Sequence, residues 1–102
     1  EMRFPTLLST ITLYDYLEKS PSWKPLLRPE KGCIILNVSF TGVPEIRGHT
    51  GIVGKNLALD GSLFVMSNHS DSGTWEVSWT INSWYRYYQV KGKMQTYYYR
   101  RV

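Results

Sequence analysis

One alternating stretch decides the fold class of this chain: Trp75-Glu76-Val77-Ser78-Trp79-Thr80-Ile81. Its apolar side chains occupy every second position, and polar side chains fill the positions between them. Successive side chains of an extended chain point to opposite faces, so this pattern predicts a strand with one buried face. The neighbouring segments are therefore interpreted as further parts of a sheet.

Strand signals continue on both sides of this stretch. We predict four more strands from their β-branched and aromatic content: Cys33–Phe40, His49–Val53, Leu63–Ser67 and Gln95–Arg101. Asp60-Gly61 indicates a hairpin before the third of these. Residues 41–47 are predicted as a loop, and residues 68–73 as a polar turn. Sequential strands joined by tight turns favour an antiparallel sheet that curls toward a barrel.

Two helices complete the prediction. Residues 5–19 carry apolar side chains at roughly helical spacing, and Ser20 to Pro25 ends that helix because proline lacks a backbone N–H. We expect the Trp23 side chain to be buried at the edge of the hydrophobic core. A short helix is predicted over residues 84–88, capped by Asn82-Ser83. We expect Trp75, Trp79 and Trp84 to lie in the core, and some of the many C-terminal tyrosines to lie at the surface. The predicted class is α+β, with an N-terminal helix and a curled antiparallel sheet in one domain over residues 1–102.

Composition narrows the possible classes of protein. The chain has 102 residues with 42% hydrophobic content, and no apolar run approaches the length of roughly 20 residues that spans a membrane. Its one cysteine cannot form an internal disulfide, and neither His49 nor His69 lies in a metal-binding motif, so we predict no metal and no cofactor. The net charge is +4, with no acidic residue after Glu76. This basic end favours a polyanionic neighbour or is simply a solvated face.

His49 is the most informative candidate for chemistry. It lies in Gly48-His49-Thr50-Gly51-Ile52-Val53, at the start of a predicted strand. Histidine changes charge near neutral pH, as a general base requires, and glycines let a substrate or another backbone approach closely. The alternative is a histidine at the edge of a turn, with glycines chosen for their backbone angles.

Segments from residue 28 to 102 resemble the C-terminal part of bacterial and phage peptidoglycan hydrolases of the papain-like NlpC/P60 and CHAP superfamily. Arg28 to Leu36 is similar to the start of that family's P-x-x-G-D strand, and the His49 strand is similar to its G-H-V-G-I-V strand. Leu63 to Asn68, and Trp84 with the aromatic ending Gln95 to Tyr99, follow in the same order. The resemblance implies a papain-like half-barrel.

The resemblance also implies a cysteine, a histidine and a polar orienting group acting on wall-peptide amide bonds. His49 matches the histidine, and Asn68 is the candidate that accepts a hydrogen bond from its imidazole. Ser67 and His69 are weaker alternatives for that role. A protein of this kind works outside the cell, at the cell wall or as a phage lysis product. The location of this chain stays open on sequence alone.

The family's nucleophile has no counterpart in this chain. The family cysteine precedes the P-x-x-G strand at a helix N-terminus, whereas Cys33 lies at the start of a predicted strand. We interpret Cys33 as a small buried residue, or else as an unusual dyad partner facing His49. The nucleophile then comes from an upstream segment or a second chain, or the chain is a degenerate homologue, or the likeness is coincidental. The alternative function is non-catalytic binding of wall glycan or, less favoured, nucleic acid by the basic, tyrosine-rich end.

Overall fold

The computed structural model of the chain describes residues 10–40, 48–69 and 74–102. Chain order gives helix α1, five strands, helix α2 and a final strand. Helix α2 continues directly into a π-helix, Tyr85–Lys91. The bounds are α1 Thr10–Lys19, β1 Trp23–Leu26, β2 Ile34–Asn37, β3 His49–Leu57, β4 Leu63–His69, β5 Thr74–Thr80, α2 Ile81–Trp84 and β6 Thr96–Arg101.

The strands form one six-stranded sheet in the order β1-β6-β2-β3-β4-β5, and every neighbouring pair is antiparallel. The predicted α+β class and antiparallel sheet are therefore confirmed. The sheet is open, with β1 and β5 at its edges. The C-terminal strand β6 lies between β1 and β2, so the first and last described strands pair directly.

Strand β1 was not predicted, because Pro25 was interpreted only as the end of a helix. A proline that cannot donate to a ladder is tolerated in an edge strand, and β1 is such a strand. Trp23 is buried, as expected. Strand β2 ends at Asn37 and is shorter than the predicted strand over residues 33–40.

Other boundaries also moved. Asn68 and His69 continue strand β4 and do not belong to the predicted turn. The rest of that turn, residues 70–73, lies outside the described residues, and so do the predicted loop at 41–47 and residues 5–9 of the predicted helix. The helix predicted over residues 84–88 is observed as the π-helix Tyr85–Lys91, preceded by α2, which begins at Ile81. The predicted cap residues Asn82 and Ser83 lie inside α2. Its N-cap is Thr80, whose Oγ1 accepts a hydrogen bond from the Ser83 backbone N–H at 3.1 Å, while the Thr80 N–H donates to Ser83 Oγ at 2.9 Å.

The sheet separates two hydrophobic cores. On the α1 face, helix α1 packs on strands β1, β2 and β6, with the buried residues Leu13, Leu17, Trp23, Ile34, Leu36, Val38 and Tyr99. On the opposite side, the Trp84 face, helix α2 and the π-helix cover Cys33, Ile35, Val53, Val65, Trp84, Tyr88 and Met94. Alternation along β2 explains the division, because its odd-numbered and even-numbered residues belong to different faces.

Helix α1 leaves part of its own face of the sheet uncovered. Ile52, Phe64, Met66 and Val77 line a shallow apolar groove of about 340 Å³ on strands β3, β4 and β5. Met66 and Val77 are exposed. Among the described residues, no helix has the length and hydropathy needed to cross a bilayer.

Tyr99 and Tyr88 place a phenol in each core. Tyr99 is fully buried and its hydroxyl donates to Glu18 Oε1 at 2.6 Å. Burial, followed by the nearby Glu18 carboxylate, raises the pKa of Tyr99 well above its ordinary value. Burial also raises the pKa of Tyr88 to about 12. Both phenols are therefore held neutral in the folded protein beyond the pH at which free tyrosine ionises.

We expect the protein to lose stability as the pH rises above about 10, the ordinary tyrosine pKa. Both states bind the phenolic protons below that pH, and only the unfolded state releases them above it. At pH 11 each buried phenol should lower the free energy of unfolding by about 1 kcal/mol. Urea unfolding at pH 9 and pH 11 measures this loss, and Tyr99→Phe should reduce it. An equal loss in Tyr99→Phe and in the exposed-ring control Tyr85→Phe would contradict the assignment.

Candidate functional site

His49 is the first residue of β3 and pairs with Asn37 of β2 on the Trp84 face. Its imidazole is half-buried and lies nearly parallel to two aromatic rings. The centroid distances are 5.6 Å to Trp84, with a 26° interplanar angle, and 5.9 Å to Tyr88, with a 21° angle. The two rings fix the plane of the imidazole while part of it stays accessible.

The glycines beside His49 serve close packing within the chain. A Cβ on Gly48 would collide with Thr10 Oγ1, at the start of α1, and lie 2.6 Å from the Asn37 carbonyl oxygen. A Cβ on Gly51 would lie 2.7 Å from the Met66 carbonyl oxygen. The interpretation that these glycines admit another backbone is therefore supported for both positions. The same contacts hold the start of β3 against α1 and β4.

Asn37 is the polar hub behind His49. It is fully buried, yet its carboxamide oxygen accepts from Trp84 Nε1 at 2.6 Å. Its Nδ2 donates to the Met94 carbonyl oxygen at 3.1 Å and to Thr96 Oγ1 at 2.9 Å. A buried carboxamide is stable only when its donors and acceptors are paired, and here they link β2 to α2 and β6. Asn37 thereby fixes the tryptophan on which His49 stacks.

An aromatic cluster extends from His49 toward the surface. Trp84 is fully buried, as predicted, and Trp79 is half-buried, while the side chain of Trp75 lies outside the description. Trp79 packs against Tyr87 and Tyr88 at centroid distances of 5.4 and 5.5 Å. Tyr87 is exposed at the outer end of the cluster, as expected for some of these tyrosines. The cluster thus joins the imidazole to an exposed ring.

Cys33 lies on the Trp84 face but away from His49. It is opposite Val53, whose N–H donates to the Cys33 carbonyl oxygen at 2.9 Å. Val53 follows His49 by four residues, which is about 13 Å of extended chain. Cys33 is buried, its sulfur accepts from the Glu30 N–H at 3.3 Å, and burial raises the pKa of its thiol. The structure therefore does not bring Cys33 and His49 together as a dyad.

Strand β4 carries the three candidates for orienting His49. Ser67 is buried and pairs with Gly51, so it lies on the Trp84 face diagonally from His49. Asn68 follows it in β4 and pairs with Trp75 of β5. His69 ends the strand opposite Thr74. The register therefore places Ser67 on the face that carries the imidazole, and the role of Asn68 stays a prediction.

The arrangement can present an imidazole for proton transfer or hydrogen bonding beside an aromatic surface. In the part of the chain that the structure describes, no three His, Cys, Asp or Glu side chains group together as metal ligands. No family model, curated protein or solved structure matches this chain. The functional interpretation therefore depends on the geometry around His49 and on the residues that resemble the hydrolase superfamily.

Sequence reasoning missed the residues that support His49. Asn37 ends an apolar strand, Cys33-Ile34-Ile35-Leu36-Asn37, and a single polar residue after such a run is the signal that was available. Its role depends on partners 47 to 59 residues away in sequence. Trp84 was predicted only as a core residue, without its hydrogen bond to Asn37.

We predict that Asn37→Ala lowers the free energy of unfolding by about 3 kcal/mol, because it leaves the Trp84 N–H and the Met94 carbonyl without their partner. The matched variant Asn56→Ala, on an exposed position of β3, should change it by less than about 0.5 kcal/mol. Urea denaturation monitored by tryptophan fluorescence measures both. A loss below about 1 kcal/mol for Asn37→Ala would show that the network contributes little.

Proposed function

We propose that this chain is the histidine-bearing part of a cell-wall hydrolase that cleaves amide bonds of peptidoglycan peptides by cysteine-type catalysis. The observation that carries the proposal is the imidazole of His49 at the start of β3, which is half-buried and stacks against the neighbouring rings of Trp84 and Tyr88. A general base must be fixed in orientation and still reachable by substrate, and this imidazole meets both conditions. The Gly48–Val53 strand and the order of the surrounding segments support the family.

In this mechanism His49 transfers protons at each step. It takes the proton of the cysteine thiol, and the thiolate adds to the amide carbonyl carbon. The imidazolium then gives that proton to the leaving amine nitrogen as the C–N bond breaks. His49 next removes a proton from water, which hydrolyses the thioester and returns the thiol. An acceptor on β4, Ser67 or Asn68, fixes the tautomer of the imidazole.

The nucleophile in this proposal lies outside the 102 residues, in an upstream segment or a second chain, because Cys33 is about 13 Å along the sheet from His49. The incoming cysteine must approach His49 on the Trp84 face. The curling of the open sheet into a papain-like half-barrel belongs to the same proposal. An enzyme of this kind acts at the cell wall or as a phage lysis product.

Peptidoglycan digestion tests the proposal. The chain, and the same chain extended by its upstream coding sequence, are incubated with purified peptidoglycan, and newly formed amine ends are quantified. We expect release by the extended chain and a rate at least about 100-fold lower for its His49→Ala variant, because a general acid–base contributes that much or more. The control Asn56→Ala should stay within about twofold of the parent rate.

Two outcomes would contradict this function. Absence of amine release from both chains removes the enzyme interpretation. Unchanged turnover in His49→Ala leaves hydrolysis possible but shows that His49 is not the base.

A second candidate is non-catalytic binding of wall glycan, which the exposed end of the aromatic cluster favours. Tyr85 and Tyr87 are 43% and 37% exposed. The Lys91 Nζ lies 5.6 Å from the Tyr87 ring centroid, and the Trp79 ring packs against the same tyrosine at a centroid distance of 5.4 Å. Exposed rings beside a cation suit stacking against sugars, and also against nucleic-acid bases.

Retention on insoluble peptidoglycan tests this second function. Tyr87→Ala should weaken retention about tenfold, whereas Tyr87→Phe keeps the ring and should stay near the parent value. A salt-titrated nucleic-acid binding assay runs in parallel. If the chain binds nucleic acid with a steep salt dependence and is not retained on peptidoglycan, the ligand is nucleic acid and not wall glycan. If the chain binds neither ligand, the binding function is contradicted.

A further inference from the structure

A polar groove lies between the end of the π-helix and the start of β6. Its volume is about 480 Å³, and it is lined by Gln89, Lys93, Met94, Gln95 and Thr96. Lys93 and Gln95 are exposed, Gln89 and Thr96 are half-buried, and Met94 is buried at the base. The lining therefore offers an ammonium, two carboxamides and a hydroxyl to a bound molecule.

The groove is held at both ends by hydrogen bonds. The Gly92 N–H donates to the Tyr87 carbonyl oxygen at 2.9 Å, and the Met94 N–H donates to the Tyr88 carbonyl oxygen at 3.1 Å. The Thr96 N–H donates to Gln89 Oε1 at 3.1 Å. Asn37 adds its bond to the Met94 carbonyl from beneath. The backbone around Lys93 is thus fixed before any ligand arrives.

Lys93 has an unusual backbone conformation. Its φ is +56°, and it is the one residue other than glycine with positive φ in the described part of the chain. This left-handed region is unfavourable for a side chain with a Cβ, and glycine or asparagine is the usual occupant. Lys93 therefore occupies, on the rim of the groove, a backbone position at which glycine or asparagine would cost less.

The charge around the groove suits an anion. None of its five lining residues is acidic, and the sequence contains no Asp or Glu after Glu76. An ammonium with carboxamide N–H donors beside it is suited to a carboxylate, which accepts several charge-assisted hydrogen bonds.

The groove is also close to His49. Thr96 pairs with Asn37, and Asn37 pairs with His49, so the groove edge lies two strand spacings from the imidazole's strand. Two spacings correspond to about 10 Å, the length of about three residues of extended peptide. All three residues lie on the Trp84 face, where Trp84 and Met94 cover the buried Asn37. A peptide that joins the groove to His49 therefore passes around these side chains and spans at least this distance.

We propose that this groove binds the carboxylate of a peptide ligand, with Lys93 as the residue that pairs with it. This assignment rests on the proposed function and adds a specificity site to it: the substrate carries a free carboxylate at least about three residues from the amide bond presented to His49. Lys93 acts on binding and takes no part in the chemical step.

Binding of two matched peptides to the full chain tests the proposal by NMR chemical-shift titration. The probes are acetyl-trialanine with a free C-terminal carboxylate and the same peptide as its C-terminal amide. We expect the carboxylate form to shift the amide signals of Met94 and Thr96 and to bind at least tenfold more tightly than the amide form. Equal affinity for the two peptides, or tighter binding of inorganic phosphate, would overturn the proposal.

Variants at Lys93 separate binding from folding. Lys93→Asn and Lys93→Gly remove the ammonium, but both residues tolerate the left-handed backbone, so these variants should be at least as stable as the parent. Both variants should bind the carboxylate peptide at least tenfold more weakly than the parent. Lys93→Arg should retain the parent affinity within threefold. The control Lys24→Asn, at an exposed position, should bind as the parent does. Unchanged affinity in Lys93→Asn would refute the assignment.

His49→Ala keeps the groove and should still bind the carboxylate peptide. A chain that binds this peptide but never cleaves peptidoglycan would therefore refute the proposed hydrolysis while leaving the groove assignment intact. A chain that cleaves peptidoglycan but shows no preference for the carboxylate peptide would refute the groove assignment and leave the proposed hydrolysis intact.

Discussion

Asn37 is buried at the end of the inner strand β2, and its carboxamide joins elements that lie far apart in sequence. One oxygen and one nitrogen connect β2 to Trp84 of α2, to the loop at Met94 and to Thr96 of β6. Inside a low-dielectric core such bonds are strong when all are made and costly when one is missing. The position of the second helix relative to the sheet, the ring against which His49 lies and the base of the Lys93 groove all depend on this one side chain.

The two faces of the sheet have different roles. On the α1 face, apolar residues of the helix and strands give stability through burial, with the Tyr99 hydroxyl bonded to Glu18 at the margin. The Trp84 face combines burial with a polar network, a half-buried imidazole and a basic groove. The proposed binding and the proposed proton transfer both use the side of the sheet that α2 and the π-helix cover. In that proposal, a partner that supplies a nucleophile has to fit beside those helices.

The sequence predicted the strands that local signals define. The alternation around Val77, the Asp60-Gly61 turn and the β-branched run after Cys33 are each readable within a few residues, and they gave strands in the right order. Strand β1 has only four residues and is held by β6, more than seventy residues later, so no local pattern marks it. The site was predicted in part. His49 was found from its neighbours, whereas the burial of Asn37 and the backbone angle of Lys93 depend on distant contacts.

The position of β6 between β1 and β2 has a consequence for how the chain folds. Strands β2 to β5 are consecutive neighbours and can pair as they are synthesised, but β1 has no sheet partner until β6 is made. Helix α1 packs on the same strands, so the hydrophobic core on the α1 face is also incomplete until β6 supplies Tyr99. A nascent chain that has not yet released β6 consequently exposes the edge of β2 and the apolar side of α1. The six-stranded sheet is completed only when β6 is inserted, and until then the nascent chain is vulnerable to edge pairing and aggregation.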